Sequence, residues 1–237
     1  MRFPAPLIPG TLIRRYKRFL CDVRLRNGRV VTAHCPNSGS LTGCREPGSA
    51  VLLSDHASPS RRLRYTWEMV KVGRIWVGIN TALPNRLVAD AIGRGVIKEL
   101  RGYRVVRREV PVGRHTRLDL LLAGPRGRRC YVEVKNVTSR PPDGLAAFPD
   151  AVTLRGQKHL RVLMRLRCAG HRAVVLFVVQ RSDCRVFRPW DEVDRHYGRL
   201  LRRAAAAGVE VLPYRASVTP GGVRLTRHLI GLRLSLA

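Results

Sequence analysis

The segments "TRLDLLL" (116–122) and "CYVEVKNV" (130–137) decide how this chain folds. They read as two strands joined by the turn-rich connector "AGPRGRR" (123–129). A strand sends side chains i and i+2 to the same face. Glu133 and Lys135 therefore share a face, and Val132 and Val134 turn to the core. In the first segment Asp119 sits between Leu118 and Leu120, an acid inside an otherwise apolar strand, on a face with Arg117 and Leu121. A buried carboxylate is costly unless something pairs with it. The connector is short enough for an antiparallel hairpin, which would bring Asp119, Glu133 and Lys135 to one pole of a sheet. Two close carboxylates suit a hard divalent cation such as Mg²⁺, and a neighbouring ammonium suits a phosphoryl group or an attacking water. The same charges could equally form a plain salt bridge, Asp119 or Glu133 with Lys135 or Arg117. Spacing alone leaves both readings open.

Working outward, residues 81–237 read as an α/β domain. "LPNRLVADAIGRG" (83–95) is a helix with Pro84 near its start and Gly93 and Gly95 at its end. A strand follows at 103–112, then the pair above. "AVTLRGQKHLRVLMRLRCAG" carries a helix from about 153 to 168, stopped by Gly170. "RAVVLFVVQ" (172–180) is a nearly continuous apolar run, as in a strand buried on both faces. A helix around 194–207, a strand at 209–214 and a hairpin at "PGG" (220–222) complete an α/β (α+β) sandwich with a mixed sheet. Residues 1–80 differ. Strands at 19–25, 29–34, 50–54, 63–72 and 74–79 are separated by turn signals, the first of them Asn27-Gly28, which predicts a two-residue hairpin. Five strands in about eighty residues suit a small Greek-key β-barrel of the oligonucleotide-binding (OB) type. An SH3-like barrel fits the same pattern.

The chain has 237 residues and a net charge of +29, from 45 Lys+Arg against 16 Asp+Glu spread along its whole length. Such a surface attracts polyanions, and nucleic acid is the leading partner. Codon bias toward Arg is the bland alternative. There is no apolar run of about 18 residues, so no membrane span is predicted, and "MRFPAPLIPG" lacks the apolar core of a signal peptide. Six cysteines without a C-x-x-C pair suggest a reduced, cytoplasmic protein. Cys130 and Cys168 are expected in the core. His34, Cys35 and Cys44 lie close in sequence, but no fourth zinc ligand is evident.

"LIRRYKRFLCDV", "HCPNSGSLTGC", "YTWEMV", "GINTALPNRLV", "RLDLLL", "YVEVKNVT", "FPDAVTLRGQKHL" and "HRAVVLFVVQRSD" occur in an order that resembles the sugar fermentation stimulation protein A (SfsA) family over nearly the whole chain. "LDLLL…YVEVKNVT" is similar to the core of PD-(D/E)xK nucleases. The resemblance implies an OB-like first domain, a PD-(D/E)xK second domain, DNA binding without strong sequence preference, and a link to sugar (maltose) metabolism. It implies Mg²⁺- or Mn²⁺-dependent phosphodiester cleavage, with Asp119 as the central metal ligand, Glu133 as the second and the Val134 carbonyl nearby. Lys135 would orient or activate the water. The first-helix acid would fall on Asp90, where the family's usual residue is Glu. Against that, Arg86, Asp90 and Arg94 are spaced as a solvated salt-bridge stripe. Gln157 and Lys158 match the family's "GQKHL" and would touch phosphate or a metal-bound water. With Arg161 they can share one helix face, while Leu160, Leu163 and Met164 lean to the core.

In the barrel, "RRYKRF" (14–19) interleaves cations with aromatics. Arg14, Arg15, Lys17 and Arg18 are expected phosphate contacts, and Tyr16, Tyr65, Trp67 and Trp76 are candidate stacking residues or core. The small residues of "CPNSGSLTG" (35–43) could cradle a phosphate through backbone N–H groups, or form a plain loop. Two functions remain open: a metal-dependent nuclease, and a non-catalytic DNA-binding regulator. An RNA-associated accessory protein is a third, weaker reading.

Overall fold

A computed structural model describes residues 1–57, 61–113 and 116–235. Its first half is a closed barrel. Strands β1 (Ile8–Tyr16), β2 (Leu20–Leu25), β3 (Val30–His34), β4 (Ala50–Asp55), β5 (Tyr65–Val72) and β6 (Ile75–Gly78) run in the order β3-β2-β1-β4-β5-β6. A short parallel pairing of β3 with β5, Ala33 opposite Tyr65, closes the ring. Strand β1 is not among the strands expected from the sequence, and its end, Arg14–Tyr16, overlaps the segment read above as a basic binding stretch. Leu12 is its inward anchor, and Ile13 and Tyr16 are half-buried. The β1–β2 turn places two non-glycine residues at positive φ, Lys17 (46°) and Arg18 (62°). The β2–β3 hairpin is not the two-residue type predicted from Asn27-Gly28. Leu25 N–H donates to the Arg29 carbonyl at 2.9 Å across a three-residue loop, with Gly28 supplying the left-handed residue (φ 81°).

The second half is a sandwich around a six-stranded mixed sheet. Helix α1 (Pro84–Gly93) leads into β7 (Arg104–Pro111), β8 (Arg117–Ala123) and β9 (Arg129–Val137). Then follow β10 (Ala146–Phe148), α2 (Leu154–Cys168), β11 (Arg172–Val179), β12 (Val186–Pro189) and α3 (Asp191–Ala206). The chain ends with β13 (Glu210–Thr219), β14 (Gly222–Leu229) and β15 (Gly231–Leu232). The sheet order is β14-β13-β11-β9-β8-β7, with β9, β11 and β13 mutually parallel and β7–β8–β9 antiparallel. The apolar run of β11 is buried on both faces. Val174, Leu176 and Val178 meet the α1 layer, while Ala173, Val175, Phe177 and Val179 meet α2 and α3. Strands β10, β12 and β15 form a small parallel sheet too short to show in the sequence pattern. Helix α3 begins before the expected 194, at Asp191, with a non-helical Asp194 inside it.

The two halves are tightly joined. Leu52 and Met69 of the barrel belong to the same apolar cluster as α1 and the sheet, and Trp76 packs against it. Gly78 is pressed so close to β11 that a Cβ there would lie 2.0 Å from Gln180 Oε1. The first residues run onto the second half: Met1 exchanges backbone hydrogen bonds with Val223, and Phe3 and Leu7 pack on the sheet cluster. Among the described residues no helix is long and apolar enough to cross a membrane.

Candidate metal centre and its cleft

The β8–β9 hairpin is paired only as far as Leu120–Val132. Beyond that point the strands part, and Asp119 fills the fork. Its Oδ2 accepts the Val134 N–H at 2.7 Å, and its Oδ1 accepts Asn85 Nδ2, from the start of α1, at 2.7 Å. Glu133 lies one step along β9, 2% exposed. Its Oε1 accepts Lys135 Nζ at 2.5 Å and contacts His159 Nδ1 from α2. Its Oε2 is buried with no hydrogen-bond partner. Burial and then the charge of Glu133 push Asp119 up to about 6, against the opposing pull of the Val134 N–H, Lys135 and Asn85. Burial works to raise Glu133 as well, but Lys135 and His159 outweigh it and hold that carboxyl below its ordinary value. One carboxylate is thus ionised at a cost, and the other offers a buried oxygen that nothing in the protein satisfies. Such a donor set fits a hard divalent cation, which would relieve both the repulsion and the orphaned oxygen.

Asp119, Glu133, Val134 and Lys135 line a cleft of about 380 Å³ between the halves. The α/β half also contributes Asn85, Asp150, Val152 and Arg155, and the barrel contributes Arg18, Asn37, Ser38 and Gly39. Asp150 Oδ2 accepts Leu41 N–H at 3.0 Å, and a Cβ on Gly39 would sit 2.3 Å from Asp150 Oδ1. The barrel loop therefore forms one wall of the cleft only because residue 39 has no side chain. Arg15 fixes that loop from behind. Its guanidinium donates to the carbonyls of Ser40, Arg18, Asn37 and Gly39 at 2.8–3.2 Å.

Several expected site residues lie elsewhere. Asp90 is exposed on the outer face of α1 and pairs with Arg94 at 3.3 Å, so the solvated stripe describes it and it does not join Asp119 and Glu133 as the first-helix acid of the site. From that helix it is Asn85 that reaches Asp119. Gln157 does not share a face with Lys158 and Arg161. It is buried and donates to both oxygens of Asp194 at 3.1 Å, tying α2 to α3. Lys158 is exposed over an adjoining pocket with Arg117, Leu154, Arg155 and His159. Arg161 is exposed and contacts His196 Nε2 at 2.8 Å.

In the barrel, Arg14 is exposed and paired with Asp22 at 2.8 Å, and Tyr16 is half-buried with its hydroxyl on Asp22. Arg15 is drawn inward, away from any phosphate role, while Lys17 and Arg18 stand at the exposed turn tip. Tyr65 and Trp67 are core, Trp67 completely so, and Trp76 is half-buried against the sheet cluster. Cys35 and Cys44 point into the barrel core, and no metal-binding group of three His, Cys, Asp or Glu exists among the described residues. In the 35–43 loop, the N–H groups of Gly39, Leu41 and Thr42 are bonded to Asn37, Asp150 and Ser40, so these three do not serve a phosphate cradle. Cys168 is exposed, because it falls on the outer side of the last turn of α2. His159 and Asn85 were missed by sequence reading, although both lie in the quoted segments "RGQKHL" and "ALPNRLV". Neither has a charge or periodicity that marks it.

A closed OB-type barrel joined to an α/β domain on a six-stranded mixed sheet, with two carboxylates and a lysine at the fork of its strands, defines a two-domain protein with a candidate metal site in the cleft between them. Residues 13–79 match the SfsA N-terminal OB domain, and residues 82–222 match the sugar fermentation stimulation protein RE domain. The chain belongs to the SfsA family. It is 59% identical to a sugar fermentation stimulation protein homolog of Geobacter sulfurreducens over 229 residues, 97% of each chain. It is 56% identical to the homolog of Geotalea uraniireducens, over 97% of this chain and 98% of that one. The solved structure of Pyrococcus furiosus SfsA in complex with Ca²⁺ superposes with a TM-score of 0.89 at 29% identity, over 98% of both chains.

Proposed function

We propose that this protein binds DNA largely without regard to sequence and hydrolyses phosphodiester bonds with Mg²⁺ or Mn²⁺ in the cleft. The observation that carries this reading is the unpartnered, buried Oε2 of Glu133 beside the Asp119 carboxylate, at the base of an open cleft. Glu133 and Asp119, with the Val134 carbonyl, would hold the cation. When bound, it would polarise the phosphodiester and stabilise charge on the leaving oxygen. The Ca²⁺ bound by the Pyrococcus relative supports a divalent ion here.

The chain's own groups do the positioning. Asn85 and the Val134 N–H hold the Asp119 carboxylate in one orientation. Lys135 is anchored to Glu133 and lines the cleft, so its remaining N–H donors can meet a phosphate oxygen or an incoming water. His159 packs behind Glu133 and keeps that side chain from turning away. Arg18 and Arg155 line the cleft from the barrel and from the α/β half, and would hold flanking phosphates.

The test is a cleavage panel over single-stranded, duplex and branched DNA and RNA with Mg²⁺ and Mn²⁺. Asp119→Ala and Lys135→Ala should abolish cutting while binding survives. If the intact protein cuts none of these forms with either ion, the nuclease reading fails. Retained DNA binding would then favour a regulator of the kind the relatives' name, sugar fermentation stimulation, suggests.

A further inference from the structure

The two most exposed large hydrophobic side chains among the described residues are Leu154, at 74%, and Val152, at 66%. They flank Thr153, whose hydroxyl caps α2 by accepting the Gly156 N–H at 3.1 Å. An apolar residue just before a helix cap commonly packs against the fourth helical residue. Here that residue is Gln157, which is polar and held by Asp194. Val152 therefore has no staple to make, and both side chains leave apolar surface in water without a folding role.

Their position is specific. Val152 lines the cleft that holds Asp119, Glu133 and Lys135. Leu154 lines the neighbouring pocket with Arg117 and Lys158, and Arg155 lines both. The two residues make an apolar ridge between cationic walls, next to the carboxylates. The partner that offers both phosphate charge and flat apolar faces is a nucleic acid whose bases are unstacked. In an intact duplex those faces are covered. In the barrel Tyr65 and Trp67 are buried, and the exposed aromatic among the described residues is Phe19, at the turn beside Arg18, so the apolar surface next to the carboxylates comes from Val152 and Leu154.

We propose that Val152 and Leu154 form a wedge that packs against exposed nucleobases, so that the site takes single-stranded or frayed nucleic acid in preference to closed duplex. This rests on the nucleic-acid reading above and deepens it. Apolar side chains inserted beside bases, and stacking on unpaired ones, are established ways for proteins to hold such substrates.

The test compares the intact protein with the Val152→Ser/Leu154→Ser variant in EDTA, where nothing is cut. The probes are a 2-aminopurine-labelled single strand and the same strand in a blunt duplex. The double variant should weaken single-strand binding about 5- to 20-fold, leave duplex binding nearly unchanged, and lose the 2-aminopurine fluorescence change. A Val152→Leu/Leu154→Met variant, still apolar, should behave like the intact protein. Equal losses on both probes, or no loss on the single strand, overturn the wedge. So does a shift in sedimentation with unchanged binding, which would make the ridge a contact between copies of this chain. The cleavage panel separates the two readings. Lost single-strand affinity in a protein that cuts nothing leaves the wedge standing and the nuclease fallen, whereas cutting with unchanged affinity does the reverse.

Discussion

Replacing Asp119 by Asn should make the metal-free protein more stable, although it removes a proposed ligand. Asn is isosteric. Its carbonyl can keep the Val134 N–H, and after an amide rotation its N–H₂ can donate to the Asn85 carbonyl oxygen, so neither hydrogen bond is forfeited. What disappears is a charge that the fold disfavours. An ordinary aspartate titrates at 3.8, whereas Asp119 is pushed up to about 6 by burial and by Glu133. That difference corresponds to about 3 kcal/mol at full ionisation, and to about 1–3 kcal/mol once screening by water at a carboxylate that is not fully buried is counted. The sign follows from linkage. Below pH 3.8 both folded and unfolded forms are protonated and the charge costs nothing. Between 3.8 and about 6 the unfolded chain releases its proton first, so the folded state loses stability as pH rises. Above about 6 the cost is constant. Thermal melts in EDTA should therefore show Asp119→Asn level with the intact protein near pH 4, and higher by about 3–9 °C at pH 7.5. Mg²⁺ should reverse the order at pH 7.5, since a ligand at about 1,000 times its Kd adds about 4.1 kcal/mol to the protein that binds it, more than the variant gains. A variant that melts no higher than the intact protein in EDTA at pH 7.5 would refute the reasoning, because Asp119 would then not be held ionised at a cost.

Asp90→Ala should change stability by less than about 0.5 kcal/mol and leave metal-dependent cleavage intact, as measured by melts and initial rates, because its partner Arg94 is a surface ion pair. Arg15→Ala should cost about 2–4 kcal/mol in denaturant unfolding, since four loop carbonyls lose their donor. Gly39→Ala should destabilise by about 1–3 kcal/mol and slow cleavage, because its Cβ would force the loop away from Asp150; unchanged melts and rates would mean that Asp150 yields freely. Affinity for DNA should fall steeply, by about tenfold or more between 50 and 200 mM salt, as phosphate contacts release counterions, and titrations at several salt concentrations measure the slope.

The sequence by itself determined the two halves and most of the elements. Period-two alternation, a run apolar on both faces and the Pro84 and Gly170 boundaries are local signals, and local signals survive into the fold. It also singled out Asp119, Glu133 and Lys135, because an acid in an apolar strand has to be answered by something. Only the tertiary structure decided what surrounds them. Asp90 and Asn85 sit on the same helix, and the crossing of α1 over the sheet puts Asn85 on Asp119 and leaves Asp90 in water. Gln157 reads as sharing a functional face with Lys158 and Arg161 until α3 brings Asp194 against it. Arg15 reads as a phosphate contact until the 37–40 loop folds over its guanidinium. A long polar side chain has several reachable partners. Which one it meets depends on elements distant in sequence, and no periodicity records that. The exposure of Val152 and Leu154 belongs to the same class. Their residue types predict burial, and only the polar Gln157 beneath them and the cleft beside them leave the two facing water.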